Sequence, residues 1–230
     1  MGLSHSPRIV TNGLVLCLDA GNTRSYPGSG TTWTDLVGSK TGTLTNGPTF
    51  SSTNGGSIVF DGVNDYASVT HTISTPVTVS AFVRYSSQAV TKNTFFNTSP
   101  HNVLLISLNR VGGGQTYVYI GNGSSWSGGL SGADGTSPSI ISSQNTSANT
   151  WYHITFTSTG SGSTLYINGT SVGTSGFSPS GWGSSFYLGN IFVASEYLQG
   201  NISNIQIYNR ALSEAEIRQN FNATRGRYGI

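Results

Sequence analysis

The nine residues VTVSAFVRY at 77–85 constrain the fold more than any other stretch of this chain. On an extended backbone Val77, Val79, Ala81 and Val83 fall on one side, and Thr78, Ser80, Phe82 and Arg84 on the other. That period of two is the pattern of a half-buried strand and fits no helix. Similar short runs recur along the chain, as LVLCLDA at 14–20, SIVFDG at 57–62, DYASVT at 65–70, NVLLISLN at 102–109 and QTYVYIG at 115–121. They continue as WYHITFTS at 151–158, STLYING at 163–169, SSFYLGN at 184–190 and YLQGNISNIQIYN at 197–209, with strand-like pieces around 42–45. Gly160-Ser161-Gly162 punctuates two of them, and Asn168-Gly169 is the strongest kind of short hairpin signal. The imperfect alternation of Ile202, Ile205 and Ile207 predicts a bulge near Ser203-Asn204.

Composition closes off the alternatives. Charged residues make up 8% of the 230, against about 25% in a typical globular domain, and 31 positions are glycine. A net charge of +2 with so few charges excludes a coiled coil, a helical bundle and a nucleic-acid binder working through a basic patch. No apolar run is long enough to cross a membrane as a helix. The expectation is an all-β, antiparallel two-sheet sandwich.

One helix is legible at about 214–221. Ser213 and Glu216 form a capping box, and Leu212 and Ile217 a hydrophobic staple. Residues 1–12 read as an amino-terminal arm, 13–221 as one domain and 222–230 as a carboxyl-terminal tail. Arg218, Arg225, Arg227 and Tyr228 belong either to a solvated tail that favours the helix end or to an arm that docks on another protein. The Gly/Ser-rich stretch 122–149, with Trp126, Asp134 and Pro138, reads as a long functional or mobile loop.

Cys17 has no possible disulfide partner in the chain and reads as a small core residue. The amino-terminal MGLSHSPRIV has no apolar core and no cleavage site, so no signal peptide is expected.

Five segments together resemble the concanavalin A-like lectin/glucanase superfamily, in its laminin G-like branch. They are GLVLCLDAGNTRSYPGSGTTWTDL at 13–36, GGSIVFDGVNDYASV at 55–69, NTWYHITFT at 149–157, STLYINGTSVG at 163–173 and GNISNIQIYNRALSEAEIRQNF at 200–221. The resemblance implies a jelly roll whose concave face and loops bind sugars in some members. The carboxyl end, YNRALSEAEIRQNFNATRGRYGI, is similar to laminin G-like domains of tailed-phage virion proteins. It implies a non-enzymatic protein that folds in the bacterial host cytoplasm and is displayed on the virion surface, foremost as capsid decoration. Its partners would then be the major capsid protein and other virion proteins, and it would form homo-oligomers. The alternative is a lectin module of a tail fibre or adhesion protein that recognises host surface polysaccharide. Neither reading involves nucleic acid or membrane insertion.

Hydrolysis of glycosides needs two carboxyl groups flanking the scissile bond. Of the three glutamates, Glu214 and Glu216 are explained by the helix start and Glu196 stands alone in a loop. The four histidines, His5, His71, His101 and His153, have neither metal-ligand spacing nor a nucleophile motif beside them. His153 reads as a solvent-facing strand residue or a satisfied polar group. The expectation is no enzyme and no required cofactor. Asp61, Asn64 and Asp65 in DGVND are weak calcium candidates, to which Asp19 and Asp35 could add ligands. They read first as the residues of a tight turn. For sugar stacking the candidates are Trp126, Trp182 and Tyr26 on loops, although Trp126 and Trp182 read first as pins of their loops or as a protein interface, while Trp33 and Trp151 read as core.

Overall fold

The computed structural model describes residues 7–90, 93–99, 103–126, 139–191 and 196–230. In chain order the strands are β1 (Leu14–Asp19), β2 (Thr32–Thr34), β3 (Thr41–Thr45), β4 (Thr49–Ser51), β5 (Ser57–Asp61), β6 (Tyr66–Thr70), β7 (Val77–Tyr85), β8 (Asn93–Ser99) and β9 (Leu104–Leu108). They continue with β10 (Gln115–Ile120), β11 (Ile140–Asn145), β12 (Tyr152–Ser158), β13 (Ser163–Ile167), β14 (Thr170–Ser175), β15 (Ser185–Leu188), β16 (Asn190–Ile191), β17 (Glu196–Tyr197) and β18 (Gln199–Tyr208). One helix, α1 (Glu214–Thr224), follows.

The strands form two large antiparallel sheets. The first runs β14-β13-β12-β7-β18-β5-β4, with β1 also paired to β18. The second runs β11-β10-β9-β8-β15-β6-β3-β2, and β16-β17 form a small separate ribbon. Between the sheets lies one apolar core that includes Leu16, Trp33, Ile58, Val79, Phe96 and Phe186. β18 is the central strand. β7 flanks one side of it, while β5 and β1 share the other, β5 along 199–202 and β1 along 204–208. The change of partner coincides with a register shift between Ile202 and Asn204, the expected bulge. Gly200 lets β7 come close there, because a Cβ on it would stand 2.1 Å from the Arg84 carbonyl oxygen. The Asn168-Gly169 turn has both residues at positive φ, 53° and 79°, as an I′ hairpin requires.

The period of two in β7 is real, but the half-burial expected from it is not. Both faces of β7 are buried. The core takes Val77, Val79, Ala81 and Val83, and α1 with its flanking segments covers the other side. Ser213 caps α1 and both halves of the capping box form. Arg210 holds Glu216 with two bonds of 2.9 and 2.6 Å, which draws that carboxyl down to about 2. Ile217, Leu212, Tyr166, Tyr208 and Val10 form a second apolar cluster under the helix.

Val10 and the carboxyl-terminal segment are docked, contrary to the solvated-tail reading. The Val10 N–H donates to Asn220 Oδ1 at 2.7 Å, and the Tyr208 hydroxyl donates to the Val10 carbonyl at 3.0 Å. Past the helix, Tyr228 is 4% exposed, stacked 4.1 Å from Phe82 and 5.0 Å from Trp151. Arg227 spans both oxygens of Asp19 at 2.9 and 3.0 Å. Apolar rings opposite a half-apolar sheet face gain more from burial than from hydration, which is why these residues leave solvent.

Candidate functional site

The two sheets expose very different outer faces. On the first, Ser80, Phe82 and His153 lie beneath α1. His153 is buried, its Nε2 lies 2.7 Å from Ser80 Oγ, and its ring stands 4.6 Å from Phe82 and 5.9 Å from Phe221. It therefore does not face solvent, and its Nδ1 has no partner, so it is only half satisfied. Burial pushes the imidazole down to about 3. A serine–histidine contact sealed under a helix cannot meet a substrate.

The outer face of the second sheet is open over half its width. Thr32, Thr43, Ser68, Tyr187 and Asn97 are successive register partners across β2, β3, β6, β15 and β8. Four strand spacings make this row about 19 Å long. Thr32 and Thr43 are exposed, Ser68 and Tyr187 half-buried. Tyr66 shares the face with Ser68, two residues on, and its ring meets that of Tyr187 at 6.3 Å, edge to face. Thr70, Ser185 and Ser99 make a second row beside the first. The open half is thus a pair of tyrosine rings in a field of hydroxyls.

Beyond Asn97 the same face becomes closed. Its row continues through Leu105 to Tyr119, and Thr94, Ser107 and Tyr117 form a parallel row. Ile191 of β16 and the half-buried Trp126 pack on Leu105, Tyr117 and Tyr119. Arg110 and Glu196 form a buried two-bond ion pair, and Arg110 Nε donates to the Tyr119 hydroxyl at 2.9 Å. The Arg110 guanidinium also lies 4.8 Å from the centre of the Tyr119 ring. Glu196, read from the sequence as a lone loop residue, is therefore half of a tertiary ion pair whose partner lies 86 positions away.

At this closed end polar atoms are left over. Thr94 Oγ1, Asn97 Oδ1 and Ser107 Oγ are buried without a hydrogen-bond partner, as are both amide atoms of Asn190 on the adjoining β16. An unsatisfied buried polar atom costs about 1–3 kcal/mol.

The three aromatic candidates are dispersed. Trp126 forms part of the closed end, 5.8 Å from the Tyr119 ring. Trp182 packs on the main core and donates its indole N–H to Thr75 Oγ1 at 3.0 Å. Their two loops are joined, since the Ser180 N–H donates to the Gly121 carbonyl at 3.1 Å. Tyr26 is 3% exposed rather than displayed, with its hydroxyl on the Gly30 carbonyl at 2.8 Å. With Phe50, 5.6 Å away, it edges a separate cleft of about 290 Å³. Trp33 and Trp151 are buried, as their strand positions imply. Tyr66, Tyr187 and Asn97 escaped sequence reasoning, although Tyr66-Ser68-Thr70 alternate with Ala67 and Val69 in a way that marks them as outward.

DGVND is a turn. Asp61 Oδ1 accepts from the N–H groups of Val63 and Asn64 at 2.8 and 3.3 Å, and Asp65 Oδ2 from the Asp61 N–H at 3.1 Å. Asp35 accepts from the backbone of Cys17, Val37 and Gly38, and Asp19 is held by Arg227. Among the described residues no three His, Cys, Asp or Glu side chains gather as a metal site. Cys17 is buried, and burial pushes its thiol up to about 12. His5, His101 and Asp134 lie outside the described residues.

This architecture has known counterparts. A family model described as the concanavalin A-like lectin/glucanases superfamily, laminin G type, matches residues 60–218, and the chain belongs to that superfamily. No curated protein matches the sequence. Among solved structures, domain 4 of an extracellular arabinanase from Geobacillus stearothermophilus, in complex with arabinotriose, is similar with a TM-score of 0.68 at 19% identity. That likeness covers 89% of this chain and 96% of the domain. The Trypanosoma rangeli sialidase in complex with sialic acid is similar with a TM-score of 0.65 at 20% identity, over 97% of this chain and 36% of the sialidase. This chain thus spans about a third of the sialidase, and at these identities the likeness concerns the fold.

Proposed function

We propose that this protein is a non-catalytic carbohydrate-binding module whose site is the open outer face of the second sheet. The observation that carries the reading is the tyrosine pair Tyr66–Tyr187 set in rows of hydroxyls. A pyranose or furanose ring has apolar C–H faces and polar edges, and such a surface offers rings for the first and hydrogen bonds for the second. A neighbour of similar fold is a domain in complex with arabinotriose, which supports the same class of ligand.

The positions of the described carboxylates support the non-catalytic reading. Glu196 is tied to Arg110, Glu214 to Arg218, Glu216 to Arg210 and Asp19 to Arg227. Asp35, Asp61 and Asp65 serve their own backbone. No two described carboxyl groups flank the open face as a general acid and its partner would.

The test is a glycan array probed with the intact chain and with Tyr187→Ala. Loss of array binding in a variant with unchanged unfolding supports the reading, and retained binding overturns the site.

A second reading, display on a phage particle, rests on the resemblance of residues 208–230 to domains of virion proteins. Quantitative mass spectrometry of purified particles tests it. Copies in proportion to the major capsid protein support decoration, a few per particle a tail or fibre, and none removes the virion role.

A further inference from the structure

We propose that the site takes uncharged glycans and discriminates against those bearing carboxylate, sulfate or phosphate. The inference rests on the carbohydrate-binding reading and narrows its ligand. The open half offers hydroxyls from threonine, serine and tyrosine, and none of its row positions is ionisable at neutral pH. Among the described residues the cation on this face is Arg110, and it is already neutralised. Glu196 takes two of its N–H groups and the Tyr119 hydroxyl a third, and the pair is 3% and 2% exposed. An anion approaching the closed end would meet the Glu196 carboxylate together with the guanidinium, and so gains no net charge attraction.

The exposed hydroxyls of Thr32, Thr43 and Thr70 can each donate or accept, which suits the hydroxyls of a neutral sugar. Taking an ionised group out of water without a counter-charge is heavily penalised. At the end of the open rows Lys40, just before β3, and Asp35, just after β2, act on His71 in opposite senses, so their formal charges cancel there.

The experiment is an array carrying neutral oligosaccharides beside their sialylated, uronate and sulfated counterparts, followed by calorimetric titration of each matched pair. At least tenfold tighter binding of the neutral member is expected. Equal or tighter binding of the charged member overturns this inference while leaving the carbohydrate reading intact. An array with no bound glycan of either kind overturns both. Glu196→Gln bares the Arg110 cation and is expected to raise the charged-to-neutral affinity ratio, and an unchanged ratio in a folded variant also overturns the assignment. Should that variant not fold, the matched-pair titration of the intact chain decides alone.

Discussion

The two outer sheet faces are made from similar alternating strands and end in opposite states. On the first sheet the outward row of β7 holds Phe82 among hydroxyls; Tyr228 and Phe221 stack on that ring, and Val10 and Ile217 pack with Tyr208 of the neighbouring β18. On the second, the outward residues of β6, β15 and β3 are small or tyrosyl, and no described segment covers them. What decides between the two is a few large apolar groups. Where the sheet presents an aromatic ring that can stack, the termini gain by burying it. Where it presents hydroxyls, a covering segment would desolvate polar groups for little return. The closed end of the second sheet is intermediate, half apolar and half polar, and there a short ribbon and an ion pair form the cover with polar atoms unmatched.

That contrast can be broken most directly at Tyr228. Tyr228→Ala removes the ring stacked on Phe82 and Trp151, and is expected to cost about 3 kcal/mol by comparison with large-to-small core substitutions. Urea unfolding would measure it. A cost below about 1 kcal/mol would mean the carboxyl-terminal cover contributes little.

The covered face also carries a pH dependence. In the native state His153 stays neutral down to about pH 3, whereas in the unfolded chain it takes up a proton near its ordinary 6.5. Its folded value is depressed, so the stability it contributes is complete above 6.5 and is lost as the pH falls toward 3. Between about pH 7 and about pH 4.5 the loss should reach about 2–3 kcal/mol, at 1.36 kcal/mol per unit. Denaturant midpoints across that range would follow it, and His153→Gln should remove most of the slope.

On the open face the effect on stability should be small and the effect on binding large. Tyr187→Ala is expected to change unfolding by about 0.5 kcal/mol or less, as surface substitutions do, while lowering glycan affinity at least tenfold. A large stability cost would instead mark Tyr187 as packing and not as a platform. Smallest of all is the exposed Arg218–Glu214 pair at 2.7 Å on α1, with side chains 58% and 53% exposed. A double-mutant cycle there should return about 0.3–0.5 kcal/mol and fade in high salt.

Much of the scaffold was legible because it is local. VTVSAFVRY marks β7 to the residue, Asn168-Gly169 turns a hairpin, and Ser213 with Glu216 starts the helix. The helix end was placed three residues early, at 221 instead of Thr224, because nothing in NAT breaks a helix. β8, NTFFNTS, went unread because a bulge disturbs its alternation between Thr94 and Phe96. β11 hides in a Ser/Gly-rich stretch and is ordered by its partner β10.

The candidate site was far less legible. Tyr26, Trp126 and Trp182 were sought as displayed rings, yet whether a ring is displayed depends on what packs over it, and each has found a partner within the chain. By itself the sequence determined the strands, the turns, the capped helix and the poverty of charge, since backbone preference and side-chain period act over a few neighbours. Only the tertiary structure decided which strand faces stay open. That outcome depends on contacts such as Arg110 with Glu196 and Val10 with Asn220, between residues far apart in the chain that no local pattern brings together.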